Sequence, residues 1–156
     1  MAKVARASRN ASLMRVESIT GSKTMTAAET GELYFINYNT AATIAINLPP
    51  VKEGAYCKFV WATEMVLDAA VIEFKPASGA AAGVIKGIIR GMEVDGTGPT
   101  AEKDAGSATK LSIDGAPDVN VGSFIEAVCD GTSWHLSGVI YVDAGGTAGD
   151  AFAWDA

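Results

Sequence analysis

Apolar and polar residues alternate along most of this chain with a period of two, which places one set of side chains on each face of a strand. In Thr43–Leu48, Ile44, Ile46 and Leu48 point one way and Thr43, Ala45 and Asn47 the other. Ala70–Lys75 repeats the pattern, with Ile72 and Phe74 inward and Glu73 outward. Ala108–Asp114 turns Leu111 and Ile113 inward, and Tyr56–Thr63 sets Cys57, Phe59 and Trp61 on one face. Glu32–Tyr38 departs from this rule. Leu33, Phe35 and Asn37 form one face, Tyr34, Ile36 and Tyr38 the other, and both are largely apolar. Both should therefore be covered, by a second sheet and by a loop or a neighbouring subunit.

Val121–Val142 reads as two long strands joined at Asp130-Gly131. Asp-Gly between β-type runs is a strong hairpin signal, because tight turns need a positive φ that Gly accepts at little cost. On the second strand, Trp134, Leu136, Gly138 and Ile140 are expected to face the core. Leu13–Ile19 and Lys23–Thr26 are short strands, and Ala27–Gly31 is a turn or a single helical turn. Pro49-Pro50 ends the strand before it, since Pro cannot continue a ladder. In Val84–Val94, Gly87 and Gly91 argue against a helix. That segment is expected to be an interrupted strand pair or a strand bulged at Gly87. Asp95–Ser107 is expected to be a long surface loop.

Roughly nine strands separated by frequent turns predict a sandwich or barrel. The expectation is an all-β chain: an antiparallel β-sandwich or jelly roll over 13–142, an extended N-terminal arm over 1–12, and a C-terminal tail over 143–156. The Gly-rich tail carries Phe152 and Trp154. Two exposed aromatics are costly, so they are expected to anchor on a neighbouring subunit or on the chain's own body.

Composition agrees with a packed domain. With 49% hydrophobic residues the chain is not of the disordered class, and 156 residues suffice for one core. The net charge of −6 is unevenly spread. Residues 1–23 hold Lys3, Arg6, Arg9, Arg15 and Lys23 against Glu17, or 5 − 1 = +4, and the remainder holds 7 basic and 17 acidic residues, or −10. A basic arm on an acidic body is an interaction-tail pattern. An acidic protein surface fits it better than nucleic acid, because the arm lacks interleaved aromatics and the body would repel phosphates. No secretory signal and no run long enough to span a bilayer are visible, so no membrane partner is expected and a soluble protein made in the host cytoplasm is.

Catalytic material is sparse. His135 is the only histidine. It has no nucleophile motif beside it and reads as a partly exposed strand residue. Cys57 and Cys129 lack zinc-type spacing. They read as two small buried hydrophobes, or as a single bridge between neighbouring strands. The Asp-rich turns do not match a calcium loop. No enzyme activity, metal or cofactor is expected.

Two stretches, TMTAAETGELYFINYNTAATIAINLPPVKEGAYCKFV (Thr24–Val60) and VGSFIEAVCDGTSWHLSG (Val121–Gly138), resemble β-modules of tailed-bacteriophage virion proteins. The elements that carry the resemblance are TG before an aromatic strand, Leu48-Pro49 at a strand end, and Asp130-Gly131-Thr132-Ser133-Trp134 in the closing hairpin. Such modules occur in capsid decoration (cement) proteins and in tail-fibre or tail-spike segments, and many are trimeric. The resemblance implies a virion structural protein at the capsid surface, bound to the major capsid protein and to itself as a homotrimer. Lys3, Arg6, Arg9 and Arg15 of the arm and Phe152 and Trp154 of the tail would make the contacts. A compact body with arms suits a decoration protein, whose weak contacts add up on a lattice. The alternative is a tail-fibre adhesin module that binds a host glycan.

Overall fold

The computed structural model describes residues 15–77, 85–94, 101–143 and 147–155. Among them there is no helix, and none long and apolar enough to cross a membrane. The chain is all-β and forms two mixed sheets. The larger has the order β1 (Val16–Ile19), β3 (Glu32–Ile36), β5 (Tyr56–Trp61), β10 (Phe124–Cys129), β11 (Trp134–Val142), β7 (Ile85–Glu93), β8 (Ala101–Ala108). The smaller has the order β12 (Phe152–Asp155), β9 (Lys110–Asp114), β6 (Val71–Lys75), β4 (Thr43–Asn47), β2 (Lys23–Thr24).

The antiparallel expectation is corrected. From β1 to β6 the chain alternates between the two sheets, and in this stretch strands two apart in sequence are sheet neighbours that run the same way. Thus β1, β3 and β5 are parallel, as are β2, β4 and β6. Each strand of one sheet serves as the crossover that parallel neighbours in the other require. Periodicity sees only which residues share a face, and this is the same for either direction.

The inward positions of both sheets form one core. Tyr34 stacks on Phe59 at 5.3 Å, and Phe59 meets Phe74 of the smaller sheet edge-on at 4.9 Å. Ile44, Ile46, Leu48, Ile72, Leu111 and Ile113 all join this core, as the alternation predicts. Trp134, Leu136 and Ile140 are buried as expected, whereas Gly138, expected to join them, is half-buried.

Three local expectations change. Part of the segment read as a surface loop, Ala101–Ala108, is strand β8 on the edge of the larger sheet. Its sequence, AEKDAGSA, has no apolar alternation because one ladder and an exposed charged flank suffice for an edge. The hairpin pairs Cys129 with Trp134, so four residues connect its strands rather than two. Asp130 organises that loop. Its Oδ1 accepts from Thr132 N, Thr132 Oγ1 and Ser133 N at 2.7–2.8 Å. Third, the C-terminal tail ends in a strand of the smaller sheet, because β12 pairs with β9 from Phe152↔Ile113 to Asp155↔Lys110. The bulge expected at Gly87 is present as a register shift between Ile85 and Gly87, where Gly87 adopts φ 144°.

Candidate functional site

The two sheets turn very different surfaces outward. On the smaller one, β4 contributes Thr43, Ala45 and Asn47, β6 Glu73 and Lys75, and β9 Lys110, Ser112 and Asp114. Apart from Ala45 and Val71 this face is polar, and it is cross-linked: Lys110 Nζ lies 2.6 Å from Glu73 and 3.2 Å from Asp155, and Lys75 also pairs with Glu73. Lys110 is the first cause holding the Glu73 carboxyl below its ordinary pKa.

The outward face of the larger sheet is apolar along its middle. The registers line up Phe35↔Val60, Val60↔Phe124 and Phe124↔Val139, a row that crosses four strands and ends beside Arg90 of β7. Leu33 and Tyr56 flank the row on one side of the sheet, and Ile88 and Met92 on the other. Ile88 and Val128 are each 46% exposed. A shallow depression of about 350 Å³ crosses β10, β11 and β7, lined by Ile88, Arg90, Phe124, Ser137, Gly138 and Val139. The charges around the row are paired within the chain. Lys58 Nζ is 2.8 Å from Glu126 and 4.9 Å from the Phe124 ring centroid, and Arg90 Nε donates to Glu102 at 2.7 Å. Such a face suits protein contact: apolar in the centre, with neutralised charges around it.

The residues expected to touch partners are placed as follows. Lys3, Arg6 and Arg9 lie outside the described residues. Arg15 points its guanidinium at Glu32, with Nη1 2.8 Å from Oε1 but without hydrogen-bond alignment. Phe152 is 1% exposed and belongs to the chain's own core, so it is not free to anchor elsewhere. Trp154 packs partly against that core and donates from Nε1 to the carbonyl of Lys103 at 3.2 Å. Of the two anchors considered for these aromatics, the observed one is the chain's own body.

A carboxylate cluster, unnoticed in the sequence, gathers Glu17, Glu29 and Glu32, with ligand-type atoms within 4.8 Å of one another. Each is already met by a cation. Lys23 Nζ stands 2.8 Å from Glu17 and 2.6 Å from Glu29, and Arg15 faces Glu32, whose Oε2 accepts from Tyr34 OH at 2.9 Å. The Lys23 ammonium holds the Glu29 carboxyl down at about 2. This is an ion-pair network built where β1, β2 and β3 meet.

His135 faces away from Trp134 and Leu136, and its Nε2 pairs with Asp130 Oδ2 at 2.8 Å. That contact, with the three loop donors, holds the Asp130 carboxyl well below its usual range. Cys57 and Cys129 are both free and buried. Burial, with Glu32 and Glu29 nearby, raises the Cys57 thiol to about 12.

No family model, no curated protein and no solved structure matches this chain. Only part of this apolar face was legible in the sequence. The double-sided pattern of Glu32–Tyr38 asked for an outer cover. The signals it lacked were Tyr56-Lys58-Val60 and Phe124-Glu126-Val128, whose outward residues form one surface only once β5 and β10 pair.

Proposed function

We propose that this chain is a virion structural protein, a non-enzymatic capsid decoration (cement) protein that binds and stabilises a phage capsid shell. The observation that carries the reading is the outward row Phe35, Val60, Phe124 and Val139 on the larger sheet. A body whose outer sheet face carries a half-buried apolar row beside exposed Ile88, Met92 and Val128, with the flanking charges neutralised, is suited to assembly rather than to solution chemistry. The resemblance of Thr24–Val60 and Val121–Gly138 to phage virion modules supplies the setting. In this reading the body is a β-sandwich or jelly roll, the protein works as a homotrimer on the capsid surface, and the major capsid protein is its other partner. The basic segment with Lys3, Arg6 and Arg9 grips the acidic shell.

Co-sedimentation with empty capsids of the encoding virus tests this. The expected result is saturable binding at hundreds of copies per particle, lost when residues 1–12 are deleted. Absence of capsid binding, together with binding of the isolated protein to a glycan array, would overturn it in favour of a tail-fibre adhesin.

A further inference from the structure

The apolar outer face of the larger sheet has a specific occupant. We propose that a second copy of this chain packs on it, so that the row Phe35–Val60–Phe124–Val139 is a self-association surface. The inference rests on reading the chain as an assembly protein, and it names the partner of that face.

Three observations point to a copy of this chain. The first is charge. Residues 24–156 carry a net −10, yet the ions around the row cancel within one chain, Lys58 with Glu126 and Arg90 with Glu102. A locally neutral face meets another of its kind without like-charge repulsion. A basic or acidic partner would be better met by a face of opposite sign. The second is shape. The row is one continuous band across four paired strands, and two copies related by a twofold axis lay the same band on itself, a pairing separate from the head-to-tail contacts that close the proposed trimer. The third is size. Five strands about 4.8 Å apart, each offering about three outward residues, cover about 500 Å² per copy. Two copies would bury about 1,000 Å², near the threshold for a stable interface. The outer face of the smaller sheet offers no such alternative, being occupied by the Glu73–Lys75–Lys110–Asp155 ion pairs.

Sedimentation velocity of the full chain over a range of concentrations tests this. Wild type is expected to run larger than a monomer. Val139→Asp, at the β11 end of the row beside Arg90, is expected to weaken self-association at least tenfold. Ile88→Lys, at an exposed position opposite Asp104, is expected to do the same with little effect on folding, checked by near-UV circular dichroism. Thr43→Asp, on the polar face, should leave the oligomer intact. Three results would overturn the inference: a monomeric wild type, an oligomer unaffected by both face variants, or face variants that stay oligomeric and lose only capsid binding. A wild type that self-associates through this face yet ignores capsids would overturn the decoration reading and leave this one standing.

Discussion

Trp134 donates from Nε1 to the carbonyl oxygen of Pro49 at 3.1 Å, across 85 positions of sequence. The bond ties the closing hairpin to the Leu48-Pro49 strand end, the two elements most telling for the resemblance to phage modules. Both Trp134 and Leu48 are fully buried, so the bond is made where water cannot replace it. By contrast Trp61, also fully buried, finds no acceptor for its Nε1 among the described residues. Trp134→Phe is therefore expected to cost about 1 kcal/mol more than Trp61→Phe, since both lose similar volume but only one breaks a hydrogen bond. Urea unfolding of the two variants measures the difference, and equal costs would deny the Pro49 bond any net weight.

The centre of the larger sheet is intolerant of a single added carbon. A Cβ on Gly138 would stand 2.1 Å from the carbonyl oxygen of Phe124, and one on Gly87 would stand 1.8 Å from that of Leu136, at a φ of 144°. Both obstacles are backbone atoms of a paired strand, so neither can swing aside. Gly138→Ala and Gly87→Ala are each expected to destabilise by about 3 kcal/mol or more. A thermal midpoint within 2 °C of wild type, on the order of the shift from a neutral surface change, would contradict this.

Phe152 and Trp154 distinguish a structural strand from a partner anchor. Phe152→Ala is expected to cost about 3–5 kcal/mol, as for a fully buried aromatic. Trp154→Ala, at a half-buried edge position, should cost less. Chemical denaturation of the isolated protein reads both. Full stability of the Phe152 variant would return this residue to the list of partner contacts.

Acid stability follows from Glu29. Its folded pKa of about 2 lies below the ordinary 4.5, first because Lys23 hydrogen-bonds to it, with Thr26 N–H adding to the effect and burial opposing it. A depressed carboxylate stabilises the fold above its unfolded pKa, and that contribution drains away as pH falls from about 4.5 toward 2. The Lys23 pKa is raised, so its side of the pair fails only in alkali. Glu29→Gln should lose about 1 kcal/mol at pH 7, in line with a partly exposed pair. Between pH 5 and 2.5, by roughly the span of that shift, its denaturation midpoint should fall less than that of wild type. Parallel curves would remove Glu29 from the acid response.

The thiols should be inert. Cys57 is fully buried, with its pKa raised to about 12, and Cys129 accepts backbone hydrogen bonds from Lys52 and Gly131. The thiolate is the reactive form, so labelling by a maleimide at pH 7.5 should proceed only as fast as the protein unfolds, with two thiols released in denaturant. Rapid labelling of native protein would contradict the burial of both.

Outside Glu32–Tyr38, whose two faces are both apolar, alternation alone settled which side chains face inward. A period of two does not depend on strand direction, and so Ile44, Ile46, Phe59, Trp61, Phe74, Leu111 and Ile113 were all legible as core. The burial of Trp134 and the bulge at Gly87 were equally local, the first a matter of face and the second of a backbone only Gly adopts. Direction, order and edges were not legible. The parallel runs β1–β3–β5 and β2–β4–β6 arise because the chain changes sheet at each connection, and nothing within a strand records that choice. Strand β8 escaped notice because an edge is held by one ladder of backbone bonds, which its polar residues do not advertise. The apolar outer row escaped for a related reason. Phe35, Val60, Phe124 and Val139 are single outward residues on four strands. Register set them side by side, and tertiary pairing alone turned ordinary surface positions into a continuous apolar row.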